Sequence, residues 1–158
     1  MQYVDALLVI AGSGPLEKEC KSLAASLHLE DKVHFLGPKS HTDLRAIYAS
    51  ADLFAAPSVT AKNGDVEGFG LVILEAMASG LPVIASNSGG ITDIITDGEN
   101  GLLAQERDSR QIASHIDRLI HSPALSEKLS RASLETAARF DYTVIAQKYR
   151  DMIEDSCR

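Results

Sequence analysis

The sequence predicts an α/β fold: a doubly wound parallel sheet with helices on both faces. Two observations lead there. Short apolar runs of strand length alternate with longer amphipathic stretches of helical period. The runs are too short and too apolar for a sheet wetted on one side, and they are punctuated by glycine, proline and asparagine turns.

Val4 to Ala11 (VDALLVIA) reads as a buried strand, and Gly12-Ser13-Gly14-Pro15 turns the chain. Pro15 to Leu29 has helical periodicity, with Leu16, Cys20, Leu23, Ala24 and Leu27 on one face. Val33 to Leu36 is the next strand, closed by Gly37-Pro38, and Thr42 to Ser50 is a helix with Leu44, Ile47 and Tyr48 inward. Asp52 to Ala56 is a strand that runs into a polar loop, Pro57 to Glu67. Gly70 to Ser79 is an apolar helix that Gly80 ends as a left-handed cap, with Pro82 preventing continuation. Pro82 to Ala85 is a strand. Asn87 to Gly90 is a turn before a short helix through Ile95, and Gly101 to Ala104 is the last strand. Helices then follow near Ser109–His121, Ala124–Arg139 and Tyr142–Asp155. No repeat, low-complexity tract or linker interrupts the chain, so residues 1–158 are expected to form a single domain.

Length and composition agree with this architecture. A chain of 158 residues can bury a core without disulfides or metals. Its apolar content of 45% and charged content of 23% are those of ordinary globular proteins. The net charge of −7, from 15 basic and 22 acidic residues, argues against non-specific nucleic-acid binding, which needs a basic surface. Cys20 and Cys157 have no metal-ligand spacing and are expected as reduced thiols, which fits a cytoplasmic setting. The apolar run Ala6 to Ala11 is short and has no basic segment before it, unlike a signal peptide. No stretch is long enough for a membrane span.

Parallel sheets bind ligands outside the carboxyl ends of their strands. The loops of interest therefore begin at Gly12, Gly37, Pro57, Ser86 and Ala104. The most informative segment is Glu67-Gly68-Phe69-Gly70-Leu71-Val72-Ile73-Leu74-Glu75. Glu75 is the one charge on a helix that is otherwise apolar on every side, and such a helix is expected to be buried. A carboxylate there needs partners. Sugar hydroxyls would serve, and so would an arginine or a backbone amide. Gly68-Phe69-Gly70 opens the same helix, where unpaired amides and the helix dipole favour an anion. Gly89-Gly90 opens the next helix in the same way. One glycine-rich helix start is often only a tight turn, but two on the same rim point to a phosphate or pyrophosphate. Glu67 stands at the loop–helix junction, where it can face the cleft.

The glutamate, seven residues and second glutamate, followed by AMASGLPVIASNSGGITDII, resemble the signature of the family 4 retaining glycosyltransferases, which have the two-domain GT-B fold. The resemblance covers nearly the whole chain. LLVIAGSGPLEKECKSLAASLHLEDKVHFLG, LRAIYASADLFAAP and TDGENGLL all match, as does the terminal Phe140-Asp141-Tyr142 with Ala146 and Tyr149. It implies a Rossmann-like, carboxyl-terminal donor domain that binds a nucleotide diphosphate sugar and transfers the sugar with retention, in polysaccharide or glycolipid assembly. By resemblance Glu75 binds the ribose hydroxyls and Glu67 is the catalytic residue beside the donor sugar. Amides around Phe69, Gly70 and Leu71 contact sugar and diphosphate; Gly68, Gly89 and Gly90 join the site as parts of the two glycine-rich helix starts, and Gly12 and Gly14 turn the chain at the same ligand edge. No metal and no cofactor are implied. Amides and cations stabilise the leaving diphosphate.

The family's diphosphate-gripping arginine and lysine follow an earlier strand and have no counterpart in this sequence. Nor has the amino-terminal acceptor domain, through which a cytoplasmic enzyme of this kind would reach the inner face of a membrane. The expected strand order, 3-2-1-4-5-6, leaves an open slot between Val4–Ala11 and Asp52–Ala56. Direct pairing of those two strands, or a dimer swapped through the unpaired strand, is expected to close it. The chain alone is expected to be inactive in transfer.

Other signals are set aside. Gly12-Ser13-Gly14 lacks the third glycine of a dinucleotide site, since Glu17 stands there. His28, His115 and His121 read as surface residues on helices, and His41 as a loop residue rather than one lining a nucleotide-base pocket. No histidines have metal-ligand spacing. Ser58, Ser86 and Ser88 lie outside any nucleophile elbow. Lys62 is the only cation of the active loop and is expected to be solvated. The alternatives to an enzyme part are a non-catalytic nucleotide-sugar-binding or interaction domain of the same fold, and a sugar-nucleotide epimerase, whose further acid–base residues are not found.

Overall fold

A computed structural model describes residues 5–156. The chain falls into two compact units, one up to Ala49 and one from Ser50 onward.

The first unit contains β1 (Leu8–Ala11), α1 (Glu17–Ser26) and β2 (Val33–Gly37), with α2 (His41–Ser50) ending at the boundary. β1 and β2 are parallel, with Leu8 opposite Val33 and a register shift after Ile10. Ser40 caps α2: its hydroxyl accepts from the Asp43 amide at 3.2 Å and donates to the Asp43 carboxylate at 2.7 Å. His41 is therefore the first residue of a helix rather than part of a loop.

The expected first strand is longer than the observed one. Asp5 to Leu7 have no regular structure, and Val4 lies outside the described residues. The apolar face read on α1 is not buried either. Only Ala24 is; Leu16, Cys20, Leu23 and Leu27 are exposed. Strand β1 shares this character, with Leu8 52% and Val9 44% exposed. Periodicity marks which side of a helix is apolar, but burial needs a covering layer. His28 lies in a turn beyond α1, at φ +55°.

The second unit is a three-stranded parallel sheet in the order β3 (Phe54–Ala56), β4 (Val83–Ser86), β5 (Leu102–Ala104). Between the strands run α3 (Leu71–Ala78) and the short α4 (Ile91–Ile94); α5 (Ser109–His121), α6 (Pro123–Arg139) and α7 (Tyr142–Ser156) follow. Every residue of the central β4 is buried, as a strand with a neighbour on each side and cover on both faces requires. Ile84, Leu102, Leu119 and Leu129 form one core cluster, with Leu53, Ile112, Ile116 and Leu125 packed against it.

Helix α3 lays Ile73, Ala76 and Met77, the i, i+3 and i+4 positions, into this core. Gly80 turns the chain at φ +77°, the expected left-handed cap. Ser130 and Ser133 of α6 donate to the carbonyls of Gly80 (2.6 Å) and Leu81 (2.8 Å) and dock α6 beside α3. The expectation that α3 is buried all round is corrected: Leu71 is 66% and Val72 48% exposed, because the helix has one packed face and one open face. His115 also departs from expectation. It is buried on the inward face of α5, with Nε2 bonded to the Leu103 carbonyl at 3.0 Å.

The strand neighbours inside each unit are those the doubly wound order demands. Direct pairing of Val4–Ala11 with Asp52–Ala56 is not observed: among the described residues β1 and β3 belong to separate sheets. No helix among those residues is long and apolar enough to cross a membrane.

Candidate functional site

The carboxyl ends of β3, β4 and β5 lie on one rim, since the strands are parallel and adjacent. The loop after β3 carries most of the predicted residues. It first folds on itself: the Ala61 amide bonds to the Asp65 carbonyl at 2.8 Å, and Asn63 and Asp65 bind each other through side chain and backbone. Lys62 is exposed in this turn, as expected.

Glu67 follows. Its Oε1 accepts from the Gly70 amide at 3.0 Å and from the Phe69 amide at 3.4 Å. Gly70 can present its amide in this way because it is left-handed, at φ +70°. The two amides expected to point outward, unpaired, are therefore satisfied by the protein's own carboxylate. The Glu67 carboxylate takes the place at the helix start that an anion would be expected to fill. Phe69 stands edge-to-face against Phe140 at the end of α6, with ring centroids 5.9 Å apart. Glu75 is half-buried, about one turn into α3.

The loop after β4 meets this segment backbone to backbone. The Gly90 amide donates to the Glu67 carbonyl at 3.0 Å. A Cβ on Gly89 would stand 2.4 Å from the Glu67 carbonyl oxygen, and one on Gly90 would stand 2.0 Å from that of Gly68. Close backbone approach thus accounts for both glycines. Glu67, Gly68, Phe69, Gly70, Leu71, Gly89 and Gly90 are brought together. Gly12 and Gly14 lie in the loop after β1, in the other unit.

Sequence reasoning missed the residues that join the three loops. Glu106 stands two positions beyond β5. Its Oε2 accepts from the Thr60 amide at 2.8 Å, and its Oε1 accepts from the Thr60 hydroxyl at 2.6 Å and from the Ser88 hydroxyl. Arg107 adds a bond from Nη2 to the Thr60 carbonyl at 3.1 Å. The Ser88 hydroxyl, then the Thr60 hydroxyl and amide, hold the Glu106 carboxyl down to a pKa of about 2, and Arg107 contributes least. In the sequence nothing marks Glu106 beyond its place two positions past a strand that ends on the ligand rim. Among the described residues, no cluster of three or more histidine, cysteine or acidic side chains is placed to hold a metal.

Comparisons with known proteins fit this geometry. The profile of the glycosyl transferases group 1 family matches residues 1–136. The chain is 35% identical over 157 residues to a GDP-mannose-dependent alpha-(1-6)-phosphatidylinositol monomannoside mannosyltransferase of Mycobacterium tuberculosis, covering 97% of this chain and 41% of that protein. It is 30% identical over 148 residues to the putative colanic acid biosynthesis glycosyltransferase WcaL of Salmonella typhimurium, covering 92% and 36%. The chain thus spans well under half the length of these curated relatives. Among solved structures it is similar to Anabaena Alr3699/HepE in complex with UDP, with a TM-score of 0.83 and 29% identity over 95% of this chain and 41% of that one. It is also similar to the C-terminal domain of a group 1 family glycosyl transferase from Francisella tularensis, with a TM-score of 0.72 and 30% identity over 84% and 68%.

Proposed function

Since the chain belongs to the glycosyl transferases group 1 family, we propose that it is the donor-binding part of a retaining glycosyltransferase, which transfers a sugar from a nucleotide diphosphate sugar to an acceptor held by a further domain. The observation that carries this reading is the meeting of the loops at one rim. Glu67 and the amides of Phe69 and Gly70 form an anion site there, backed by Gly89 and Gly90, with Glu75 on the helix that follows. The UDP and UDP-glucose complexes of the Anabaena neighbour support a nucleotide-sugar donor.

In this reading Glu75 takes the ribose hydroxyls and Glu67 stands beside the donor sugar. The same two amides cannot serve Glu67 and a donor oxygen at once. Donor binding therefore exchanges the Glu67 carboxylate for phosphate or sugar oxygens, which frees the carboxylate for the reacting centre. The leaving diphosphate is met by backbone amides and by cations of a further segment, and the reaction uses no metal.

Calorimetry of the full-length protein against UDP, GDP and ADP, and their glucose and mannose conjugates, tests this reading. At least one is expected to bind. Glu75→Ala is expected to weaken that binding about ten- to a hundredfold, as loss of a charged hydrogen-bond partner does. A folded protein that binds none of them refutes the reading. Unchanged affinity in a folded Glu75→Ala variant refutes the ribose role.

A further inference from the structure

We propose that Glu106 is a positioning residue for Glu67: it fixes the loop that carries Glu67 from both sides without itself reaching the donor. The inference deepens the reading above and rests on it for its kinetic consequences, but the geometry stands alone.

On one side, Glu106 and Arg107 grip Thr60 at every polar group it has. The amide and hydroxyl are bound by the Glu106 carboxylate, and the carbonyl by the Arg107 guanidinium. Thr60 is the last residue before the self-closed turn from Ala61 to Asp65, so the near end of the Glu67 loop is anchored there. On the other side, the same carboxylate holds the Ser88 hydroxyl. Ser88 is followed directly by Gly89 and Gly90, whose backbone lies against Glu67 and Gly68 and whose Gly90 amide bonds to the Glu67 carbonyl. A single side chain thus sets both the start of the loop and the surface on which Glu67 rests.

A carboxylate suits this task because all three of its partners here are donors, and its two oxygens accept without offering a donor in return. Alanine removes both accepting oxygens and leaves the Thr60 amide unpaired, whereas glutamine can still serve, because its NH2 can donate to the two hydroxyls once they turn to accept. The Glu67 carbonyl and carboxylate accept from Gly90 and Gly70, so the exchange rates of those two amides report on the position of Glu67 directly.

The test uses Glu106→Ala in the full-length protein, with hydrogen exchange of the ligand-free state as the first readout. Amides in 66–70 and 88–91 are expected to exchange about tenfold faster or more, the effect of losing a charge-assisted hydrogen bond, while those of 73–85 keep their rates. Unchanged exchange at Gly70 and Gly90 overturns the proposal, whatever the protein's activity. Equal acceleration throughout 66–91 overturns it too, since that would mean a general loss of stability. If the variant does not fold, Ser88→Ala, which removes one donor only, is measured in the same way and read by the same criteria. The second readout is turnover of UDP-glucose or GDP-mannose, whichever the wild type consumes. Glu106→Ala is expected to lower kcat with little change in KM, and to have no further effect in a Glu67→Gln background. Additive losses in the double variant would show that Glu106 acts independently of Glu67. If the wild type turns over neither donor, the exchange measurement still decides the role of Glu106, and the function proposed above stands or falls on the calorimetry.

Discussion

The two units of this chain obey the same sequence grammar and come out differently. From Ser50 onward, apolar runs become a buried core: Ile73, Met77, Val83, Ile84, Leu102 and Leu129 are all at most 1% exposed. Before Ala49, equally apolar residues stay open, with Leu7 63%, Leu16 60% and Leu23 59% exposed. Three strands with helices around them enclose a volume, whereas a strand pair with its helices encloses little. The contrast teaches that strand–helix alternation specifies elements and neighbours, while burial is set by how many layers are present to close over them.

The largest expected effect tests this contrast. Leu129→Ala removes a fully buried side chain from the core cluster and is expected to cost about 2–5 kcal/mol. Leu23→Ala removes a side chain of the same size from a surface and is expected to change stability by no more than about 0.5 kcal/mol. Denaturant melts of both variants in one background check the pair. A Leu23→Ala cost as large as that of Leu129→Ala would break the comparison, because it would mean that something covers α1 in solution.

The glycines allow a finer comparison. On the sequence, Gly12-Ser13-Gly14 and Gly89-Gly90 look alike, each a glycine pair between a strand and a helix. In the structure they differ. A Cβ at Gly14 meets nothing within 4 Å, whereas at Gly90 it runs into the Gly68 carbonyl, which belongs to backbone and cannot swing away. Gly90→Ala is expected to destabilise by about 1–3 kcal/mol, as overpacking does. It should also disturb nucleotide binding, because it displaces the segment that carries Glu67. Gly14→Ala is expected to be neutral, or to stabilise by about 0.4–1 kcal/mol through the unfolded chain. Thermal melts and calorimetry separate the two. A stable Gly14→Ala variant that has lost nucleotide affinity would sharpen the comparison, since it would place the ligand itself against Gly14.

The same contrast explains how much could be read in advance. The twelve elements and their order were legible, because apolar periodicity and turn residues are local signals. So was the stretch from Glu67 to Glu75, whose glycines and lone charge stand out from their surroundings. His115 lies on the side of α5 that Ile112, Ile116 and Leu119 mark as inward, and its polarity masks that position in the sequence. Exposure of Leu71 and Val72 was not legible, because a helix of uniformly apolar residues does not say which face finds a partner. The Glu106 tie was invisible for another reason. It joins positions 46 and 18 residues away, and no local pattern encodes a contact between three separate loops.

The smallest expected effect compares two carboxylates, one in each unit. Both are held below their ordinary range, by different means. Asp5, which is fully exposed, is lowered by Lys32 alone, whose Nζ lies 2.6 Å away. Glu106 is lowered mainly by neutral donors, the hydroxyls of Ser88 and Thr60 and the Thr60 amide. In each case the folded state favours the ionised form, so the contribution to stability is present above the unfolded pKa and is lost as pH falls through the folded one. For Glu106 that window runs from 4.5 down to about 2, and the loop tie is intact throughout the neutral range. Salt distinguishes the two mechanisms. Screening weakens an exposed ion pair but not hydrogen bonds to uncharged groups. Carboxyl resonances followed by NMR at low salt and at about 1 M, where the Debye length falls to about 3 Å, are expected to show Asp5 returning toward its ordinary pKa while Glu106 keeps its low value. Lys32→Ala should reproduce the salt effect on Asp5 with no measurable change in melting temperature. A Glu106 pKa that rises with salt as steeply as that of Asp5 would mean that Arg107 holds the carboxylate, and the tie between the three loops would then be an ion pair rather than a hydrogen-bonded junction.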